Sequence, residues 1–65
     1  DLKADQIQFL MMLKTFVLDR GQVERENLIQ PPFTNMHPQG IRGVFPPGQL
    51  SQVLQFLEQL GQYAA

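Results

Sequence analysis

Apolar positions recur at helical spacing at both ends of this chain and are scattered between prolines in its middle. From Ala4 to Arg20 there is neither Gly nor Pro, and Leu, Met and Gln, all good helix formers, dominate. The pattern predicts a helix over 4–20. Asp5 stands where an N-cap or first-turn acid is favourable, and Arg20 where a cation suits the negative helix end. Gly21 follows at once, as a left-handed residue closing a helix does. On a helical wheel Ile7, Leu10, Met11, Leu13, Phe16, Val17 and Leu18 cover well over half the circumference, and Gln8, Thr15 and Asp19 form a narrow polar strip. A helix so broadly apolar requires cover from more than one side, which makes it the central helix. Lys14 falls inside the apolar arc. Either its stem lies along the core with the ammonium in water, or it pairs with an acid on a partner protein.

Residues 48–62 carry the cleanest amphipathic repeat. Leu50, Val53, Leu54, Leu57 and Leu60 share one face, Phe56 lies on its margin, and Gln52, Gln55, Glu58, Gln59 and Gln62 face the other way. Pro46 and Pro47 suit the entry of this helix. Gly61 breaks it, and Tyr63 lies beyond to close over the core. Residues 22–30 fit a short helix starting near Glu24 with Val23 packed at its start. Pro31 and Pro32 end it firmly.

Between these elements lies PPFTNMHPQGIRGVFPP, residues 31–47, with all five prolines of the chain. Such a length without regular structure is unusual inside a compact domain. Phe33, Met36, Ile41, Val44 and Phe45 punctuate it, so it is read as an ordered strap laid across the helices. The fold class is therefore all-α, a single domain over 1–65. Two main antiparallel helices are expected, with a short helix and an ordered Pro-rich crossing segment.

Composition narrows the chemistry. Among 65 residues there is no cysteine and only one histidine, which removes disulfides, thiolate metal sites and a His-only metal site within one chain. Five Lys/Arg against six Asp/Glu give a net charge of −1, so no excess positive field gathers phosphates. No apolar run approaches the roughly 18 residues of a membrane span. The chain opens at Asp1 without Met and closes on Tyr63-Ala64-Ala65, which reads as a piece of a larger protein.

Catalytic constellations do not emerge. His37 sits in a turn-forming context, Thr34 to Gly40. There Thr34, Asn35 and His37 either satisfy peptide groups stranded by the prolines or meet a partner surface. Glu24 and Glu26 are two apart on a short helix and face different ways. Gly40-Ile41-Arg42-Gly43 lacks the strand, spacing and lysine of a phosphate-binding loop. In the short helix only Arg25 and Asn27 suit base reading, and the adjoining Glu24 and Glu26 repel phosphate.

One further feature is a run of motifs: Leu28-Ile29-Gln30-Pro31-Pro32-Phe33-Thr34, then His37-Pro38 and Gly40, then Gly43-Val44-Phe45. With the flanking helices, this resembles the C-terminal domain of the restriction (R) subunit of type I restriction-modification enzymes, of the EcoEI type, from Phe9 to Leu60. The chain departs from that pattern at Gln30, where relatives carry an acid, and at Pro46-Pro47-Gly48, which replaces an acid-rich entry to the last helix. The resemblance implies a parent subunit of the bacterial cytoplasm that translocates DNA with ATP and Mg²⁺ and cuts it with a separate nuclease domain. Those functional residues would lie upstream, so no cofactor is expected in these residues. It also implies a terminal domain that docks the motor onto a methyltransferase core of modification and specificity subunits. The alternative is an auxiliary domain that contacts DNA directly. Candidate partner contacts, chosen as polar or aromatic residues of the strap, are Phe33, Asn35, His37 and Arg42, with Phe33 equally a core residue.

Overall fold

A computed structural model describes residues 2–64. Asp1 and Ala65, the two ends noted above, lie outside the described residues. The first helix, α1, runs Ala4–Arg20, as its composition predicts. At its start the Gln6 side chain accepts a hydrogen bond from the Lys3 backbone N–H at 2.9 Å. At its end Gly21, with φ at 90°, returns its N–H to the Val17 carbonyl at 2.7 Å. The Arg20 guanidinium lies 4.9 Å from the centre of the Phe16 ring, a cation–π contact in the last turn.

The stretch expected to be a short helix divides in two. Val23–Glu24 forms a strand, β1, and Arg25–Ile29 a 3₁₀ turn in which the Asn27 side chain accepts the Glu24 N–H at 2.9 Å. Val23 is fully buried, but as a strand residue paired with Tyr63 of β2 (Tyr63–Ala64), in parallel register. A pair this short carries no alternating pattern for sequence reading to find.

The proline-rich segment is ordered, and it contains regular structure: a 3₁₀ turn at Phe33–Asn35 and a one-turn helix, α2, at Ile41–Val44. Its apolar residues anchor it, Phe33, Ile41, Val44 and Phe45 all being buried. Phe33 inserts between two rings of α1, its centroid 5.0 Å from Phe9 and 5.3 Å from Phe16, while Phe45 meets Phe9 edge-on at 5.9 Å. Aromatic pairs at such separations add to the stability given by their buried area. The last helix, α3, runs Pro47–Gln59 with Pro47 in its first turn, where its missing N–H costs nothing.

The all-helical class holds, but the direction of the two main helices does not follow the antiparallel expectation. Gln6, near the start of α1, hydrogen-bonds Gln49, near the start of α3, at 3.1 Å. Past their other ends, the Val23 N–H donates to the Gln62 carbonyl at 2.8 Å. Start lies beside start and end beside end, so α1 and α3 run in the same sense. The cause is the strap. It carries the chain from the end of α1 back to its beginning, where the Val44 carbonyl meets the Gln6 amide at 3.1 Å. Parallel strands require a crossover, and here the strap and α3 together carry the chain from β1 to β2.

Candidate functional groove

The crossover leaves α1 and α3 splayed. Their facing sides form a groove of about 620 Å³ whose floor is Leu13, Val17, Phe45 and Leu57. Its walls are Leu10 and Val53, and its rim carries Leu2, Leu18, Phe56 and Leu60. Leu18 is 77% exposed, Phe56 61% and Leu60 53%. Polar lining comes from Gln49, Gln52 and Gln62, and the one charged lining residue among the described residues is Lys14.

This arrangement corrects two expectations. The α1 helix does have an apolar arc wider than half its surface, but the chain itself covers only the side with Phe9, Leu13, Phe16 and Val17, leaving Ile7, Met11 and Leu18 exposed. On α3, Leu57 alone is buried, while Leu50, Val53 and Leu54 are partly covered. The arc of α1 read in sequence therefore marks both core and groove. The signal was its excess: a chain this short has too little material to cover it.

The four residues singled out in sequence do not assemble into one site. Phe33 has no exposed surface, so it is core and cannot be a surface contact in this fold. His37 accepts the Gln39 N–H on Nδ1 at 3.2 Å, which is the backbone-satisfying role, and its ring packs on Gly43. Asn35 is exposed on the 3₁₀ turn. Arg42 is exposed on α2 and borders a hollow with Lys3, Asp5, Gln6 and Gln49 that none of the other three lines. Sequence reading also passed over Gln6. It is 4% exposed, and its amide joins the start of α1 to the Val44 carbonyl and to Gln49.

The motif glycines prove to be packing residues. A Cβ on Gly40 would run into the Leu28 carbonyl oxygen, and φ there is +63°. A Cβ on Gly43 would overlap the His37 ring. The Gly43 N–H is already bonded to the Gly40 carbonyl at 3.1 Å. Both glycines are thus packed from within the fold.

Other chemistry is sparse. No group of three or more His, Asp or Glu among the described residues is placed to hold a metal ion. Arg25 shares its hollow with Glu24 and Glu26, and Arg42 and Lys3 share theirs with Asp5, so these cations form no continuous phosphate-binding stripe. No helix is long and apolar enough to cross a membrane among the described residues.

The described residues thus form a small helical domain with interlocked motif residues and an open apolar groove. Residues 1–61 match the family model described as EcoEI R protein C-terminal, and the chain belongs to that family. It is thus the C-terminal domain of a type I restriction enzyme R subunit. No curated protein and no solved structure matches the chain.

Proposed function

We propose that this domain docks the R subunit, a DNA-translocating and DNA-cleaving motor, onto the methyltransferase core formed by modification and specificity subunits. Its own residues perform no chemistry in this reading. ATP and Mg²⁺ act elsewhere in the parent subunit, in the bacterial cytoplasm, and DNA reaches the domain only as part of the assembled complex.

The observation that carries the reading is the groove between α1 and α3, with Leu18, Phe56 and Leu60 held in water around it. Covering apolar surface contributes roughly 25 cal/mol per Å², and contiguous exposed patches of this kind mark interaction sites. Asn35 and Arg42, both exposed, and the half-buried His37 serve as additional, separate polar contacts. The alternative role, direct DNA contact, requires cations that converge, and here Lys3, Arg25 and Arg42 each share a hollow with an acid.

The test is assembly. Full-length R subunit and R subunit lacking these residues are titrated into purified methyltransferase core, with calorimetry as the readout. Loss of association on deletion is the expected result; equal affinity overturns the docking role. A labelled duplex titrated with the domain at several salt concentrations separates the alternative, because phosphate contacts weaken steeply with ionic strength. No binding tighter than about millimolar is expected at physiological salt.

A further inference from the structure

We infer that the groove between α1 and α3 receives one amphipathic helix of a methyltransferase-core subunit, and that a carboxylate on that helix pairs with Lys14. The inference rests on the docking role above and specifies its contact.

Three observations select this occupant. The first is what the groove offers to hydrogen bonds. Its floor and walls are aliphatic and aromatic side chains, with amides only from Gln49, Gln52 and Gln62. An extended peptide entering it would bury peptide groups without partners, which is costly. A helix satisfies its own backbone and brings only side chains, read as anchors at i, i+3 or i+4, and i+7.

The second is charge. Among the described residues Lys14 is the one charged residue lining the groove, and no acid lines it. The other hollows that hold cations also hold acids, Asp5 in one and Glu24 with Glu26 in the other. Lys14 is exposed and has no ion-pair partner among the described residues, and an apolar ligand in the groove would dry its surroundings. A charge covered by a partner is tolerated only when paired and hydrogen-bonded. The complementary helix therefore carries Asp or Glu within its apolar face, opposite Lys14.

The third counts against a second copy of this chain seated by its own α1. Ile7, Met11, Lys14 and Leu18 follow one another at spacings of four, three and four, which places them on a single stripe of α1. Ile7, Met11 and Leu18 are also among the exposed large apolar residues. A copy that used this stripe as its insert would bring its own Lys14 into a groove that already holds one. Like charges brought together out of water oppose association. The length is also set. At about 1.5 Å per residue, α3 presents a wall of roughly 20 Å, enough for a partner helix of about three to four turns.

The experiment uses full-length R subunit with a photoreactive benzoylphenylalanine at Leu18 or at Phe56, mixed with purified methyltransferase core. Cross-linked peptides are identified by mass spectrometry. Adducts should fall on one helix of a core subunit with apolar residues at helical spacing and an Asp or Glu among them. In parallel, Lys14→Glu in the R subunit should weaken association by about tenfold or more while leaving the melting temperature of the subunit unchanged. Exchanging the mapped carboxylate for Lys should restore affinity to the Lys14→Glu variant.

Adducts on another part of the R subunit, on a second R subunit or on DNA overturn the inference, as does wild-type affinity for Lys14→Glu. The two levels remain separable. If removing the whole domain leaves assembly intact, the docking role itself fails. If removal abolishes assembly but Lys14→Glu binds normally and no adduct reaches the core, only the groove assignment fails.

Discussion

The imidazole of His37 occupies the space in which Gly43 would otherwise carry a side chain, and a Cβ on Gly43 would overlap the ring. The two motif residues therefore act as one packing unit. Gly43→Ala should cost about 1–3 kcal/mol, the usual penalty of overpacking. Adding His37→Ala removes the obstacle, so the double variant should lose less stability than the two single losses summed. Urea midpoints of the four proteins measure the coupling, and strict additivity would show that the pair is not linked.

Gly40 makes the opposite case. Its obstacle is backbone, the Leu28 carbonyl oxygen with the Ile29 Cα at 3.0 Å, and its φ is positive. With ψ at −135° as well, this backbone conformation is open to glycine but costs an L side chain roughly 1–3 kcal/mol. Gly40→Ala should lower the melting temperature at least as far as Gly43→Ala. Deleting the His37 side chain should give no relief here.

Gln6 joins three segments through one amide, accepting from Lys3 and donating to Val44 and Gln49. Gln6→Ala leaves the Val44 carbonyl without that donor and should cost about 1–3 kcal/mol. Gln49→Ala should cost less, because Gln6 retains its bond to Val44. Thermal melts that show the reverse order would remove Gln6 from its bridging role.

Adjacent residues on α3 separate core from groove. Leu57 is 7% exposed and Phe56 61%. Leu57→Ala should cost roughly 2–5 kcal/mol, a large part of the stability of a small domain. Phe56→Ala should leave the isolated domain within about 0.5 kcal/mol of the parent. Chemical denaturation of both variants is the check.

The residues differ in how plainly their roles could be read from the chain. The limits of α1 were legible because an uninterrupted run of helix formers ends on an Arg-Gly pair. The ordered strap was legible from apolar residues set among prolines, and Phe33, wedged between Phe9 and Phe16, shows the reason. The strand pair was not legible, because two residues on each side carry no periodicity and Val23 pairs with a residue forty positions away. The direction of α3 relative to α1 was hidden for a related reason. It depends on where the strap delivers the chain, and the Gln6–Val44 and Gln6–Gln49 bonds that record this are long-range. The groove was half legible: the apolar excess of α1 was visible, while the side of the helix left uncovered was decided by the crossover. None of the four candidate contacts lines it, because they were sought on the strap, where Phe33 is buried between Phe9 and Phe16.

The most direct test of the docking role is the affinity of full-length R subunit carrying Leu18→Arg together with Phe56→Arg for purified methyltransferase core. Both side chains are exposed at the groove rim, so the variant should fold and melt like the parent. Two desolvated cations at the rim should weaken association by about a hundredfold. Binding at parental affinity by a normally folded variant would contradict the groove's role in assembly.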